Sequence, residues 1–230
     1  MPLNTLIQGS GKPVVLLHGF CEDLTIWSGL QTKLAHAYQV ISIDLPGFGS
    51  STSTSQGFTL NDVADEIMRV PGLCGPEPFP VIGHSLGGYV ALAMAENYYD
   101  RIAGLGLFHS TSYADSMEKK QNRERTMEFI LDKGAAPFIK TFVPGLFYAE
   151  NIRDHTAEIN ALINSGLQVD TNVIIDYTKA MRDRADRSKL HFNFDKHRLF
   201  IGGAKDPAIA YKDFLSQFIN LEGETTVILE

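Results

Sequence analysis

Short, continuous apolar runs alternate with segments of helical period through the first half of this chain, and that alternation constrains its fold more than any other feature. Residues 14–17 (VVLL) follow Pro13 and stop at His18-Gly19, and residues 40–44 (VISID) stop at a Pro-Gly turn. Runs of this length suit strands buried on both faces of a parallel sheet. Between them, Ile26, Leu30, Leu34 and Ala37 recur at helical spacing across residues 25–38. Strand, helix, strand is the unit from which parallel sheets are built. The rhythm continues through a Ser/Thr loop at 50–55 and a helix capped by Thr59 or Asn61 that carries Val63, Ile67 and Val70. A strand at 79–82, a helix at 86–97 and a strand at 102–108 follow, and residues 3–7 add a short edge strand.

The texture changes after His109. No strand-like run closed by turn residues occurs across 111–189, where charged amphipathic helices are predicted near 115–133, 150–167 and 171–186. An aromatic stretch, residues 137–148, lies between the first two. The earlier rhythm then resumes with a strand at 198–201, a helix at 208–219 and a strand at 225–229. The predicted organisation is an α/β core made of residues 1–110 and 190–230, a mostly parallel sheet flanked by helices. Residues 111–189 form an all-helical insertion, too long to be a plain loop.

Composition narrows the function classes. A chain of 230 residues, 44% hydrophobic, can build a full core without metals or disulfides. Its 27 acidic and 20 basic residues give a net charge of −7, which argues against a nucleic-acid partner. The longest apolar runs are strand length, so no membrane association is expected. The first residues lack the basic and apolar regions of a signal peptide, and Cys21 and Cys74 stand far apart and read as reduced thiols. These features together predict a cytoplasmic location. No metal-ligand cluster or Walker loop is present, so neither metal nor cofactor is implied.

Gly83-His84-Ser85-Leu86-Gly87-Gly88 matches G-x-S-x-G with a predicted strand before it and a predicted helix after it. In that context the serine occupies a tight, strained turn, and the flanking glycines remove side chains that would collide with strand and helix. Its hydroxyl is exposed at the carboxyl edge of the sheet.

With this motif the sequence resembles the α/β-hydrolase superfamily, in particular its esterase-like members with a helical cap, over nearly the whole chain. His18-Gly19-Phe20 looks like the oxyanion loop of that family. The resemblance implies that the backbone N–H groups of Phe20 and Leu86 hold the oxyanion, a donor of this kind being worth about 3 to 4 kcal/mol. The segment from Asp44 to Ser51 resembles the family's D-x-x-G-x-G-x-S loop, whose role is mainly structural. Gly202-Gly203-Ala204-Lys205-Asp206-Pro207 resembles the element that carries the catalytic acid, which puts Asp206 beside Ser85 as the second catalytic residue. Asp206 before Pro207 is also good helix-capping chemistry, and Asp115 is the substitute acid should Asp206 only cap.

The family's histidine follows the last core strand, and no histidine follows Asp206 in these 230 residues. The expectation is that the general base lies outside the chain as given. Of the seven histidines, His18 and His84 belong to the motifs, and His109 ends a strand at the sheet edge that carries Ser85. His109 is the one plausible stand-in, but reads first as a pocket-lining or structural residue. His36, His155, His191 and His197 read as surface or cap residues. A serine with no positioned base is a weak nucleophile, and loss of the histidine costs about a millionfold in a serine protease. A chain in this form is therefore expected to be a poor hydrolase.

The resemblance implies a parent that hydrolyses a small carboxylic ester or thioester through an acyl-enzyme. A non-catalytic ligand-binding or scaffold protein on the same fold is the alternative, and a second chain supplying the histidine is a third. Dehalogenase and epoxide-hydrolase chemistry would need an aspartate at position 85, whereas carbon–carbon hydrolases and perhydrolases share the serine constellation. His18, His84, His109, Phe138, Phe142 and Phe147 are the candidate pocket residues, the aromatic ones either lining an acyl pocket or packing the insertion's own core.

Overall fold

The computed structural model describes residues 3–52, 57–218 and 224–229. Seven strands form one sheet: β1 (Thr5–Gln8), β2 (Pro13–Leu17), β3 (Gln39–Ile43), β4 (Phe79–His84), β5 (Ile102–Phe108), β6 (His197–Gly203) and β7 (Glu224–Leu229). Their order is β1-β3-β2-β4-β5-β6-β7, with β1 antiparallel and every other pair parallel. This is the mostly parallel sheet that the alternation predicts, of the α/β-hydrolase type that the motif resemblance implies. The apolar runs become its central strands: Val15, Leu16 and Leu17 in β2 and Val40, Ile41 and Ile43 in β3 are wholly buried.

Helices α1 (Ser28–Leu34), α2 (Leu60–Ile67) and α3 (Leu86–Asn97) lie between the first five strands. The helix predicted over 25–38 is shorter than expected. Asp23 caps a 3-10 turn at Leu24–Trp27, and only Ser28–Leu34 is α-helical. For α2, Thr59 is the cap and closes a reciprocal box with Asp62. Helix α3 is apolar nearly all round because it is buried from Leu86 to Ala95, packed against α2, β4 and β5.

Between β5 and β6 the described chain is helical throughout: α4 (Met117–Lys133), α5 (Ala135–Phe142), α6 (Thr156–Gly166), α7 (Thr171–Arg182) and α8 (Ser188–Asn193). The aromatic stretch is α5 followed by a 3-10 turn at Pro144–Leu146, and the helix expected from 150 starts only at Thr156. Helix α8 was not anticipated. It buries His191, whose Nε2–H donates to the Gln217 carbonyl at 2.8 Å, so the reading of His191 as a surface residue is corrected. His36, His155 and His197 are exposed. The helix expected over 208–219 is confined to α9 (Tyr211–Leu215) among the described residues. Residues 53–55 of the Ser/Thr loop and residue 219 lie outside them. Cys21 and Cys74 are both free thiols, the first buried. No helix among the described residues is long and apolar enough to cross a membrane.

Candidate active site

Ser85 joins β4 to α3 with φ 48° and ψ −111°, a left-handed backbone that costs a non-glycine residue free energy. Close packing of strand against helix holds it there. A Cβ on Gly83 would overlap the Gly87 carbonyl and the Gly88 nitrogen, and one on Gly87 would overlap the Leu17 carbonyl oxygen. The Ser85 N–H donates to Phe108 O at 2.9 Å, and Ser110 Oγ donates to Ser85 O at 2.7 Å. Both faces of the turn are therefore tied to β5 and the residues after it.

The loop after β2 is held from below by two buried side chains. His18 is completely buried; its Nδ1–H donates to Gly19 O at 2.8 Å, and Nε2 accepts the Leu45 N–H at 2.9 Å. This fixes a neutral tautomer, and burial holds its pKa below the usual imidazole value. His18 thus clamps the loop to the turn after β3 and is not among the cavity-lining residues, which corrects its place as a pocket candidate. Asp44 organises that turn, accepting from Leu24 N, Asn4 Nδ2 and Ser50 N.

Glu22 is the second clamp. Its Oε2 accepts the Gly19 N–H at 2.6 Å and His84 Nδ1–H at 2.9 Å, and so bridges the loop after β2 to the residue before Ser85. Burial opposes charge on both partners, but their mutual attraction outweighs it: the His84 pKa is raised and that of Glu22 lowered. Stabilisation from the raised His84 pKa is complete below about pH 6.5, the unfolded value, and is lost as pH rises through the folded one. The thermal midpoint of the wild-type chain is therefore expected to fall more steeply above pH 6.5 than that of His84→Gln. Parallel curves in a calorimetric pH series would show that the pair contributes nothing.

Phe20 and Leu86 sit on either side of this bridge, in the loop and at the first position of α3. Neither backbone N–H makes a hydrogen bond to another described residue. Two unpaired donors near a helix N-terminus suit a developing negative charge.

Asp206 follows β6 and His109 follows β5. These strands are neighbours, with Phe108 opposite Ile201, and the His109 N–H donates to Ile201 O at 2.7 Å. The adjacency brings His109 Nδ1 to 2.5 Å from Asp206 Oδ2 across a sequence separation of 97 residues. The other carboxylate oxygen accepts the N–H groups of Ala208 at 2.8 Å and Ile209 at 3.0 Å. Turn-capping and histidine-pairing thus coexist on one side chain. Burial raises the Asp206 pKa, and these hydrogen bonds more than reverse the effect, leaving it below the usual carboxylate value. With Nδ1–H given to Asp206, the lone pair of His109 is on Nε2. No hydrogen bond joins Ser85 Oγ to His109 or to any other described residue. Asp115, the alternative acid, is committed elsewhere: it pairs with Arg123 and Arg184.

Ser85, His84, His109 and Asp206 line one cavity of about 320 Å³, together with Phe20, Phe142, Phe147, Tyr148 and Lys205. Lys205 Nζ lies 4.7 Å from the Tyr148 ring centre. Phe138 stacks on Phe142 at 5.0 Å and lines a second cavity of about 270 Å³, also bounded by Ser85. Leu86 is buried beneath the site. Among the described residues no group of three or more His, Cys, Asp and Glu side chains could hold a metal ion. Glu22 and Lys205 escaped the sequence reading. For Glu22 the available signal was an acidic residue three positions after Gly19, in a segment otherwise destined for burial.

Comparison with known proteins bears on this geometry. A pimeloyl-[acyl-carrier protein] methyl ester esterase of Aeromonas hydrophila is 36% identical over 98 residues, 42% of this chain and 37% of that protein. A putative carbamate hydrolase of Cronobacter turicensis is 32% identical over 133 residues, 56% of this chain and 49% of that protein. The matches therefore span less than half the length of these curated relatives. The solved structure of a thermophilic esterase from Thermogutta terrifontis superposes with a TM-score of 0.91 at 28% identity, covering 99% of this chain and 84% of that one. The profile of the alpha/beta hydrolase fold family matches residues 12–142, more than half of the sequence, and the chain belongs to that family.

Proposed function

We propose that this chain is a serine hydrolase acting on a small carboxylic ester or thioester through an acyl-enzyme. The observation that carries the reading is the convergence, in one cavity, of a strained and unpaired Ser85 with an Asp206–His109 pair. Residues 111–189 act as the cap, supplying Phe138, Phe142 and Phe147 over the serine. Ser85 Oγ attacks the carbonyl carbon while His109 Nε2 takes its proton. The new oxyanion accepts hydrogen bonds from Phe20 N and Leu86 N. On collapse, the bond to the leaving group breaks, and the imidazolium returns the proton to the departing oxygen or sulfur. Water then repeats the sequence on the acyl-serine, freeing the acid. Asp206 holds the His109 tautomer and stabilises its charged form. The names of the esterase and carbamate-hydrolase relatives fit this chemistry.

A second reading keeps Ser85 and Asp206 but gives His109 only a lining role, with the base supplied from outside the described residues. The absence of a hydrogen bond between Ser85 Oγ and His109 favours it, although such bonds often tighten only when substrate is bound. A fluorophosphonate probe followed by peptide mapping decides both matters. Modification at Ser85 supports the hydrolase, and an intact, folded protein that stays unmodified defeats it. Loss of labelling in His109→Gln assigns the base to His109; labelling at the wild-type rate moves it elsewhere.

A further inference from the structure

The second cavity meets the first at Ser85, the two sharing Phe20, Ser85, Phe142, Leu146 and Ala208 as walls. Its remaining lining combines the apolar Phe138, Met181 and Ile209 with the polar Asn122, Thr126 and Thr178, and includes Lys119 and Arg123 on α4. The charge there is unbalanced. Asp115, with 1% of its side chain exposed, is the single carboxylate among the lining residues, and two guanidinium groups share it: Arg123 Nε at 2.5 Å and Arg184 Nη1 at 2.8 Å. Arg184 is fully engaged, since it also donates to the Tyr113 and Met181 carbonyls and lies over the Tyr89 ring. Arg123 is not. Its terminal nitrogens make no hydrogen bond to a described residue, and its side chain is 23% exposed. Lys119 makes no side-chain hydrogen bond or ion pair among the described residues either.

In the first cavity the two carboxylates, Glu22 and Asp206, are each paired with a histidine, and Lys205 also lines it. An anionic group on a substrate would meet two cations with uncommitted donors, Lys119 and Arg123, in the second cavity. The apolar side chains in this lining suit an apolar spacer between the scissile carbonyl and that anion, because burying a polar linker without partners is costly.

We propose that the preferred substrates are esters or thioesters carrying a distal carboxylate, separated from the reacting carbonyl by a short alkyl chain and bound by Lys119 and Arg123. The assignment rests on Ser85 as the reacting centre, and its test does not require turnover. In the Ser85→Ala protein, which cannot consume its ligand, monomethyl adipate is expected to bind about tenfold more tightly than methyl hexanoate in calorimetry. Lys119→Met, at an exposed position that should not disturb folding, is expected to reduce that preference to about threefold or less, and Lys119→Arg to keep it. Raising the salt to about 0.5 M should shrink the preference in the parent, as expected of a partly exposed ion pair. Equal affinity for the two esters in the Ser85→Ala protein would overturn the proposal, as would a preference that survives both Lys119→Met and Arg123→Gln. Fluorophosphonate labelling of the unsubstituted chain is read separately. If it fails while the affinity preference holds, the hydrolase assignment falls and the carboxylate subsite stands.

Discussion

Ser85→Ala is expected to abolish fluorophosphonate labelling and to lower ester turnover to the rate left by the oxyanion donors and binding alone. Serine nucleophiles removed in this way cost about a millionfold in a well-formed triad. Stability should change little. Alanine keeps the same Cβ, so the strain at φ 48° is unaltered, and the bonds that hold the turn, Ser85 N to Phe108 O and Ser110 Oγ to Ser85 O, use backbone atoms of residue 85. A thermal midpoint unchanged within the equivalent of about 1 kcal/mol, together with lost turnover, places the serine in the chemistry. A variant that retains hydrolysis of a simple ester would put the reacting group elsewhere.

How much of this site can be read from the sequence depends on whether its parts are local. The turn around Ser85 is local in its motif: a strand, G-x-S-x-G and a helix within about fifteen residues specify it, and Gly83 makes room for Gly87 and Gly88 a few positions on, whereas Gly87 also makes room for the distant Leu17 carbonyl. The same is true of Thr59 with Asp62, where a single helical turn contains both halves of the capping box. The pairing of His109 with Asp206 is not local. It follows from β5 and β6 being neighbours across an insertion of five helices, and nothing in either residue's surroundings announces it. Glu22 with His84 is the same kind of pair, separated by 62 residues. His191 shows the limit from the other side. In a charged segment it reads as a surface residue, yet tertiary packing of α8 against residues near Gln217 buries it, and its Nδ1 finds no partner among the described residues. The helical character of residues 111–189 is legible from periodicity. Which aromatic faces which cavity depends on how α5 lies over Phe20: of the stacked pair, Phe142 lines both cavities and Phe138 only the second.

Asp206→Asn separates the two tasks that this side chain performs. The amide oxygen can still accept the Ala208 and Ile209 N–H groups, so the turn after β6 should persist and the thermal midpoint at neutral pH should move little. The other atom facing His109 would now be an amide donor. It would meet the Nδ1–H head-on and favour the opposite tautomer, with the proton on Nε2 and no lone pair for Ser85. A change of this kind lowers turnover by about 10⁴ in a serine protease, and a fall of similar order is expected here. Asp206→Ala should add a stability loss of about 1 kcal/mol, because the turn's N–H groups then lose their acceptor. The pH dependence has a definite sign. The Asp206 pKa is depressed in the folded chain, so its stabilising contribution is present above the unfolded carboxylate value, near 4, and is lost as pH falls through the folded one. Wild-type protein should therefore lose more stability between about pH 5 and pH 3 than Asp206→Asn, which has nothing to protonate. If turnover in Asp206→Asn instead stayed within tenfold of wild type while Asp206→Ala lost only stability, the residue would be a cap and nothing more. The acid would then have to be sought away from β6.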